Sequence, residues 1–143
     1  MTAPIIEARA VEMSFGTRKG PLIALEGFQL EVQAGEVVSI VGASGCGKST
    51  FLNIVAGFLL PTRGEVLLEG RLINRVEPRC GMIFQNYALF PWMTVLENVG
   101  FGPRLQGDTR KQRQRKARHW ISVVGLDGFE HAYPGELSGG MRQ

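Results

Sequence analysis

Nine consecutive residues, GASGCGKST at positions 42–50, carry the clearest chemical pattern in this 143-residue chain. The glycines Gly42 and Gly47 frame a loop that a lysine and a serine follow directly. Glycines let such a loop curl, so that successive backbone N–H groups point toward the oxygens of a phosphate. Lys48 can then reach the β- and γ-phosphates, and the Ser49 hydroxyl can bind Mg²⁺. The pattern predicts a site for a nucleoside triphosphate.

The segments on either side of this loop are those that a phosphate-binding loop needs. The apolar run at residues 36–41 predicts a buried parallel strand before the loop. A helix is predicted from Lys48 to about Phe58, and its N-terminus would add a positive dipole end to the loop. A glycine-rich turn without a ligand is the alternative, and it does not account for this strand, lysine, serine and helix together.

Elsewhere the chain divides near residue 86 into a β-rich part and a helical part. Alternating β-forming residues predict strands, and an apolar stripe with a spacing of three and four residues predicts a helix. The strands are predicted at residues 5–15, 22–33, 66–70 and 80–85, with a turn at 61–65, and the helices at 94–102 and 109–125. In the last helix the apolar stripe consists of Ala117, Trp120, Ile121 and Val124, and Gly125 is the predicted C-cap.

Composition sets further bounds on the class of protein. The hydrophobic fraction of 44% and the net charge of +3 are those of a globular domain with a core. Cys46 and Cys80 lack the spacing of a metal site or a disulfide framework, which favours a reducing compartment. The N-terminus lacks the pattern of a signal peptide. The longest apolar run, residues 51–60, is too short to span a bilayer, so membrane contact is expected to be indirect.

Four motifs, in this order along the chain, make it resemble the ATP-binding subunit of ABC transporters. Phe15 in SFG comes first, and the phosphate loop follows it. Gln85 in IFQNYALFPW corresponds to the glutamine of the family's Q-loop, and LSGGM, which starts at Leu137, corresponds to the signature motif. The resemblance extends over essentially the whole chain.

The resemblance implies a role for each motif. Phe15 would stack on adenine, and Gln85 would touch Mg²⁺ or the attacking water. The signature would bind ATP held by a second copy of the subunit, so that a head-to-tail homodimer encloses two ATP molecules. Other roles remain open: Phe15 in the core, Gln85 at a polar strand end, and Ser138 as a helix N-cap. An N-cap does not exclude ATP binding, because the glycines after it expose N–H groups.

The predicted site residues fall into three groups. Lys48 and Gln85 are the catalytic candidates, and Ser49 and Gln85 are the candidates for Mg²⁺. The residues predicted to contact ATP are Phe15, Gly42, Ala43, Ser44, Gly45, Cys46, Gly47, Lys48, Ser49, Thr50, Ser138, Gly139 and Gly140.

The fold that the resemblance implies is α/β, a P-loop NTPase of the ABC nucleotide-binding type with an antiparallel β region and an α-helical subdomain. Residues 1–86 would form the nucleotide-binding core with the phosphate loop, and this core would be incomplete. Residues 87–143 would contain the Q-loop and the helical subdomain, and would end at the signature. The C-terminal part of the core is expected to be missing.

This expectation of a fragment depends on the residues that hydrolysis needs. In the family, an apolar strand that ends in Asp-Glu and then a histidine follow the signature. Asp108 lies in a polar loop, Asp127 follows a helical stripe, and Glu69 has no aspartate before it. His119 and His131 precede the signature. We therefore expect the chain to bind ATP but to be deficient in hydrolysis.

The implied partners are a second nucleotide-binding subunit, transmembrane permease subunits and, indirectly, a substrate-binding protein, without nucleic acid. The implied location is peripheral, on the cytoplasmic face of the inner or plasma membrane. NYALFPWMTVLENVGFG and YPGELSGGMRQ are most similar to importers of nitrate, sulfonate and taurine. The alternatives are a fragment of a soluble ABC ATPase that acts in translation or DNA repair, and a remnant without function.

Two surface stretches have an ordinary and a functional interpretation. The basic run at residues 110–118 is favoured as the solvated face of a helix, and the alternative is contact with acidic lipid headgroups or a membrane partner. The stretch ALFPWM, residues 88–93, either packs in the core or faces the permease, as this region does in the family.

Overall fold

The computed structural model describes residues 3–143, which form two compact units: the first ends at Met82, and the second is Ile83–Gln143. Each unit has its own cluster of buried apolar side chains. The sequence pattern placed this division near residue 86.

The first unit is built on an antiparallel sheet of four strands. These are β1 (Ile6–Thr17), β2 (Gly20–Val32), β3 (Arg63–Leu68) and β4 (Arg71–Leu72), in the order β2-β1-β3-β4. Ile6 pairs with Val32 on one side and with Leu68 on the other, so β1 lies in the centre. The predicted antiparallel β region is therefore confirmed.

The return from β3 to β4 is a tight two-residue turn. Glu69 and Gly70 both have positive φ, 50° and 74°, as a type I′ hairpin turn requires. The strand predicted at residues 66–70 therefore ends at Leu68. The predicted turn at 61–65 is wrong for its second half, because Arg63 already pairs with Glu12 of β1.

One helix packs on this sheet and gives the first unit its core. In α1 (Lys48–Val55), Phe51 and Ile54 are buried, and the Phe51 ring lies 4.6 Å from that of Phe28 on β2. The helix ends at Val55 and not near Phe58, because Gly57 adopts φ 76° and its N–H turns back to the Ile54 carbonyl. The packing of α1 fixes the position of the loop that precedes it.

Two predicted strands are wrong. Residues 36–41 and 80–85 are irregular, and Val37 and Val41 are 93% and 92% exposed. A buried strand needs hydrogen-bonded neighbours on both sides. Among residues 3–143, no strand pairs with either segment. The apolar composition therefore predicted that these two segments are buried, but the described residues contain no strands that cover them.

The second unit is helical. It contains α2 (Val95–Val99), α3 (Phe101–Leu105), α4 (Arg110–Val123), a 3₁₀ turn (Pro134–Glu136) and α5 (Gly139–Arg142). The helix predicted at 94–102 is thus two short helices that meet at Gly100. Capping boxes begin α2 and α4, with Thr94 and Thr109 as the N-caps. Hydrogen bonds from the Thr94 backbone N–H and hydroxyl lower the pKa of the Glu97 carboxyl in the first of these boxes.

The core of the second unit forms where α4 packs on α2 and on the segment before α5. Its buried members are Val95, Leu96, Ala117, Ile121 and Leu137. The predicted stripe is correct for Ala117 and Ile121 and wrong for Trp120 and Val124, which are exposed. Gly125, with φ 72°, closes the helix as predicted.

The basic run of α4 is largely solvated, and part of it is neutralised locally. Lys116 pairs with Asp108 at 2.7 Å, and Arg118 lies 3.8 Å from Glu130. Within the described part of the chain, no helix has the length and apolar character that crossing a bilayer requires.

Candidate nucleotide-binding site

The phosphate loop turns directly into α1 through a glycine in the left-handed conformation. Gly47 is the N-cap residue, with φ 92°, and Gly45 has φ 83°. A Cβ on Gly47 would lie 2.3 Å from the carbonyl oxygen of Ala24 and 2.8 Å from a methyl group of Leu25. Only glycine therefore allows both the turn and the close approach of this loop to β2.

The Lys48 ammonium lies inside the curl of this loop. Its Nζ atom donates to the carbonyl oxygens of Gly42 at 2.6 Å and Ala43 at 2.8 Å, and lies 3.4 Å from Cys46 Sγ. The first turn of α1 contains no acidic residue. The positive charge and the positive end of the helix dipole therefore lie at the same place, which favours an anion.

Mg²⁺ fits this site through the nucleotide and not through a cluster of protein ligands. The Ser49 side chain is exposed in the first turn of α1. Among residues 3–143, no group of three or more His, Cys, Asp or Glu side chains could hold a metal ion. Mg²⁺ is commonly held by few protein oxygens, substrate phosphates and water, so a single hydroxyl beside the phosphates suits it.

Phe15 lies near the end of β1, opposite Leu22 of β2, and is half-buried against the first core. These contacts favour the packing role that the sequence left open. Stacking of Phe15 on adenine stays a prediction.

Gln85 and the signature residues both belong to the second unit. Gln85 is exposed in an irregular segment, not at the end of a strand. Ser138 is the N-cap of α5 as predicted, since its Oγ accepts a hydrogen bond from the Met141 N–H at 3.3 Å. The contacts of Gln85 with Mg²⁺ and of the signature with ATP stay predictions.

Two of the three carboxylates that were rejected as hydrolytic groups form ion pairs in the structure. Glu69 lies in the β3–β4 turn, where its Oε2 is 2.6 Å from Arg79. Asp108 pairs with Lys116 ahead of α4. The residues before Asp127 belong to α4 and its C-cap, so the rejection of a strand that ends at Asp127 is correct.

Asn98 organises the loop after Gln85, a role that the sequence pattern did not indicate. Its Oδ1 accepts from the Phe90 N–H at 2.9 Å, and its Nδ2 donates to the carbonyl oxygens of Phe90, Met93 and Thr94. An asparagine within the short apolar helix α2 is the only local sign of this role, because asparagine is a poor helix former.

The two cysteines provide a test of the loop. Cys46 is exposed within it, whereas Cys80 is partly buried. Burial, with the negative charge of Glu77 nearby, raises the pKa of the Cys80 thiol. A raised pKa leaves less thiolate at neutral pH, and the thiolate is the reactive form.

We therefore expect a maleimide to label Cys46 faster than Cys80, and Mg-ATP to slow labelling at Cys46 only. The labelling rate of Cys80 should rise with pH, and this rise should occur at a higher pH than the rise for an ordinary exposed thiol. Peptide mass spectrometry after timed labelling measures both rates. Labelling of Cys46 that is unchanged in saturating Mg-ATP would contradict a nucleotide in this loop.

Comparison with known proteins agrees with this geometry. A family model described as ABC transporter matches residues 25–143. The chain is 44% identical over 138 residues to NrtD, a nitrate import ATP-binding protein of Synechocystis. This match covers 96% of the chain and 52% of the relative. It is 49% identical over 120 residues to the taurine import ATP-binding protein TauB of Roseobacter denitrificans, covering 84% of the chain and 45% of that protein.

A solved structure extends the comparison to the fold. It is a dimeric, post-hydrolysis state of the ATP-binding cassette MJ0796 bound to ADP and phosphate, with a TM-score of 0.85 and 29% identity. The match covers 96% of this chain and 65% of that one. The chain belongs to the ABC transporter family and has the fold of an ABC-type P-loop NTPase. It spans about half the length of the curated relatives it matches.

Proposed function

We propose that this chain is part of an ATP-binding subunit that powers import across a membrane, and that it binds Mg-ATP at the phosphate loop. One observation carries the proposal: the Lys48 ammonium lies 2.6 and 2.8 Å from two carbonyl oxygens inside the curled loop. In the described part of the chain, no carboxylate forms an ion pair with it. An ammonium without a counter-ion at a helix N-terminus is suited to phosphate.

The roles of the site residues follow from their chemistry. Backbone N–H groups of residues 42–50 bind the phosphates, Lys48 neutralises their charge, and Ser49 takes one position on Mg²⁺. Gln85 orients water or contacts the metal ion, and Phe15 stacks on the adenine. Ser138, Gly139 and Gly140 bind ATP held by a second copy of the chain. The dimeric state of the MJ0796 cassette supports this arrangement.

The transported substrate is proposed to be a small oxyanion such as nitrate, a sulfonate or taurine. The names of the similar import proteins support this class. The subunit would act peripherally at the cytoplasmic face of the membrane, together with permease subunits and, indirectly, a substrate-binding protein.

A groove in the second unit supports the proposal that another protein binds to this chain. Trp92, Phe101, Arg104 and Arg113 are among the residues that line it. Phe90 packs on the Phe101 ring at 4.6 Å, so part of the stretch at 88–93 has the ordinary packing role. Trp92, in contrast, is 69% exposed. Exposed tryptophan and arginine are typical of protein interfaces.

A binding experiment tests this partner. Tagged chain should recover the detergent-solubilised permease subunits of a taurine importer, and Trp92→Ala should reduce the recovery several-fold. Trp120→Ala is the matched control, because Trp120 is also exposed, at 57%, and does not line the groove. Equal recovery with the two variants would contradict the role of the groove. No recovery by the unaltered chain would contradict an importer partner.

A further inference from the structure

Tyr87 connects the segment of Gln85 with the helix that begins at the signature motif. It lies two residues after Gln85 in the chain. Its ring faces Arg142, the last residue of α5, and the guanidinium carbon is 4.8 Å from the ring centroid. This is the geometry of a cation–π interaction.

The Tyr87 hydroxyl also approaches the other end of α5. A Cβ added to Gly139 would lie 3.2 Å from this oxygen, closer than an ordinary van der Waals contact. Gly139 and Arg142 are three residues apart and therefore lie on one face of the helical turn. Tyr87 thus contacts both ends of α5 on the same face.

α5 depends on such contacts for its position. A helix of four residues is too short to be stable by its own hydrogen bonds. Leu137, just before it, is buried in the second core, and Met141 packs against that core. Among residues 3–143, the buried Arg142 Nε atom has no hydrogen-bond partner, and the guanidinium faces the ring of Tyr87.

The backbone next to Tyr87 is held on its other side. Ala88 adopts the left-handed conformation with φ 47°, which is unfavourable for a residue other than glycine. Asn98 binds both the N–H and the carbonyl oxygen of Phe90. Such a conformation persists where the surroundings fix the chain, as they do here at Phe90 and, through Arg142, at Tyr87.

We propose that Tyr87 is a positioning residue for the signature motif. Its ring, held by Arg142, fixes the orientation of the turn that carries Ser138, Gly139 and Gly140 relative to the segment of Gln85. The functional part of this inference rests on the proposed function, in which Gln85 contacts the bound nucleotide and the signature contacts the ATP of a second chain.

Amide hydrogen exchange tests the contact without nucleotide. Tyr87→Leu and Arg142→Gln should each raise exchange at the Met141, Arg142 and Gln143 amides about 2–5-fold, the value expected for a cation–π contact at an exposed site. The double variant should be no worse than either single one, because both remove the same contact. Tyr87→Phe keeps the ring and should behave as the unaltered chain.

The other tyrosine of the chain is the matched control. Tyr133→Leu removes a half-exposed ring of the same unit and should leave exchange at α5 unchanged. Exchange at Ala117 and Ile121 reports whether the fold survives, and if Tyr87→Leu unfolds the unit, Arg142→Gln carries the test. Equal α5 exchange in the unaltered chain and in a folded variant would overturn the proposal.

A second readout separates this inference from the proposed function. Tyr87→Leu should leave the affinity of a single chain for Mg-ATP unchanged within about 2-fold, but weaken ATP-dependent association of two chains at least about 5-fold. If the unaltered chain does not bind ATP, the proposed function is wrong and the exchange result alone decides the contact. If ATP-dependent association is equal in both proteins, Tyr87 does not position the signature.

Discussion

Replacing Lys48 by alanine is expected to weaken binding of Mg-ATP by about 100-fold. A hydrogen bond to a charged group is worth about 1.5–3 kcal/mol, and Lys48 is placed to make such bonds to the β- and γ-phosphates. Its ammonium already lies inside the loop, against the carbonyl oxygens of Gly42 and Ala43. Calorimetric titration of both proteins with Mg-ATP measures the difference.

Two control variants make this result specific. Lys111→Ala removes an exposed lysine of the other unit and should leave the affinity unchanged. Ser49→Ala should weaken binding in Mg²⁺ but not in EDTA, because its hydroxyl acts through the metal ion. Equal affinity of the unaltered chain and Lys48→Ala would show that the loop does not hold the phosphates.

The 143-residue chain is expected to show no ATP turnover above that of Lys48→Ala. Hydrolysis needs a group that accepts a proton from the attacking water, and the loss of such help costs about 10²–10⁴-fold. Gln85 is a neutral amide and accepts a proton poorly. Glu69 is held by Arg79 at 2.6 Å and Asp108 by Lys116 at 2.7 Å. Phosphate release over hours measures the rate, with a full-length taurine-import relative as the positive control.

Steady turnover that Lys48→Ala abolishes would contradict this expectation. Glu69→Gln and Asp127→Asn would then identify the group responsible, since these are the two carboxylates closest to the expected sequence pattern. A loss in one of them would assign the proton acceptor within the present chain.

Local structure that depends on neighbouring residues was predicted correctly. The phosphate loop leads into α1 at Lys48 because glycine conformations and helix starts are set by neighbouring residues. The same holds for Ser138 as an N-cap and for Gly125 as the helix end.

The parts that depend on distant partners could not be predicted from local patterns. Val37 and Val41 have the composition of a buried strand, but burial requires neighbouring strands that their own sequence does not specify. Trp120 has the correct helical spacing but is 57% exposed, because burial requires a covering segment that the helix sequence does not specify. The contacts of Asn98 with Phe90 and of Tyr87 with Arg142 join residues 8 and 55 positions apart, which no local motif reveals.

Backbone amide spectra report, residue by residue, whether the phosphate loop binds the triphosphate of ATP. On titration of ¹⁵N-labelled chain with Mg-ATP, the amide signals of Gly45, Cys46, Gly47, Lys48 and Ser49 should shift and saturate together. The signals of α4 should not shift, although that helix carries the densest run of positive charge. Unchanged loop signals at saturating ATP, or shifts confined to the basic residues of α4, would show that ATP does not bind at this loop.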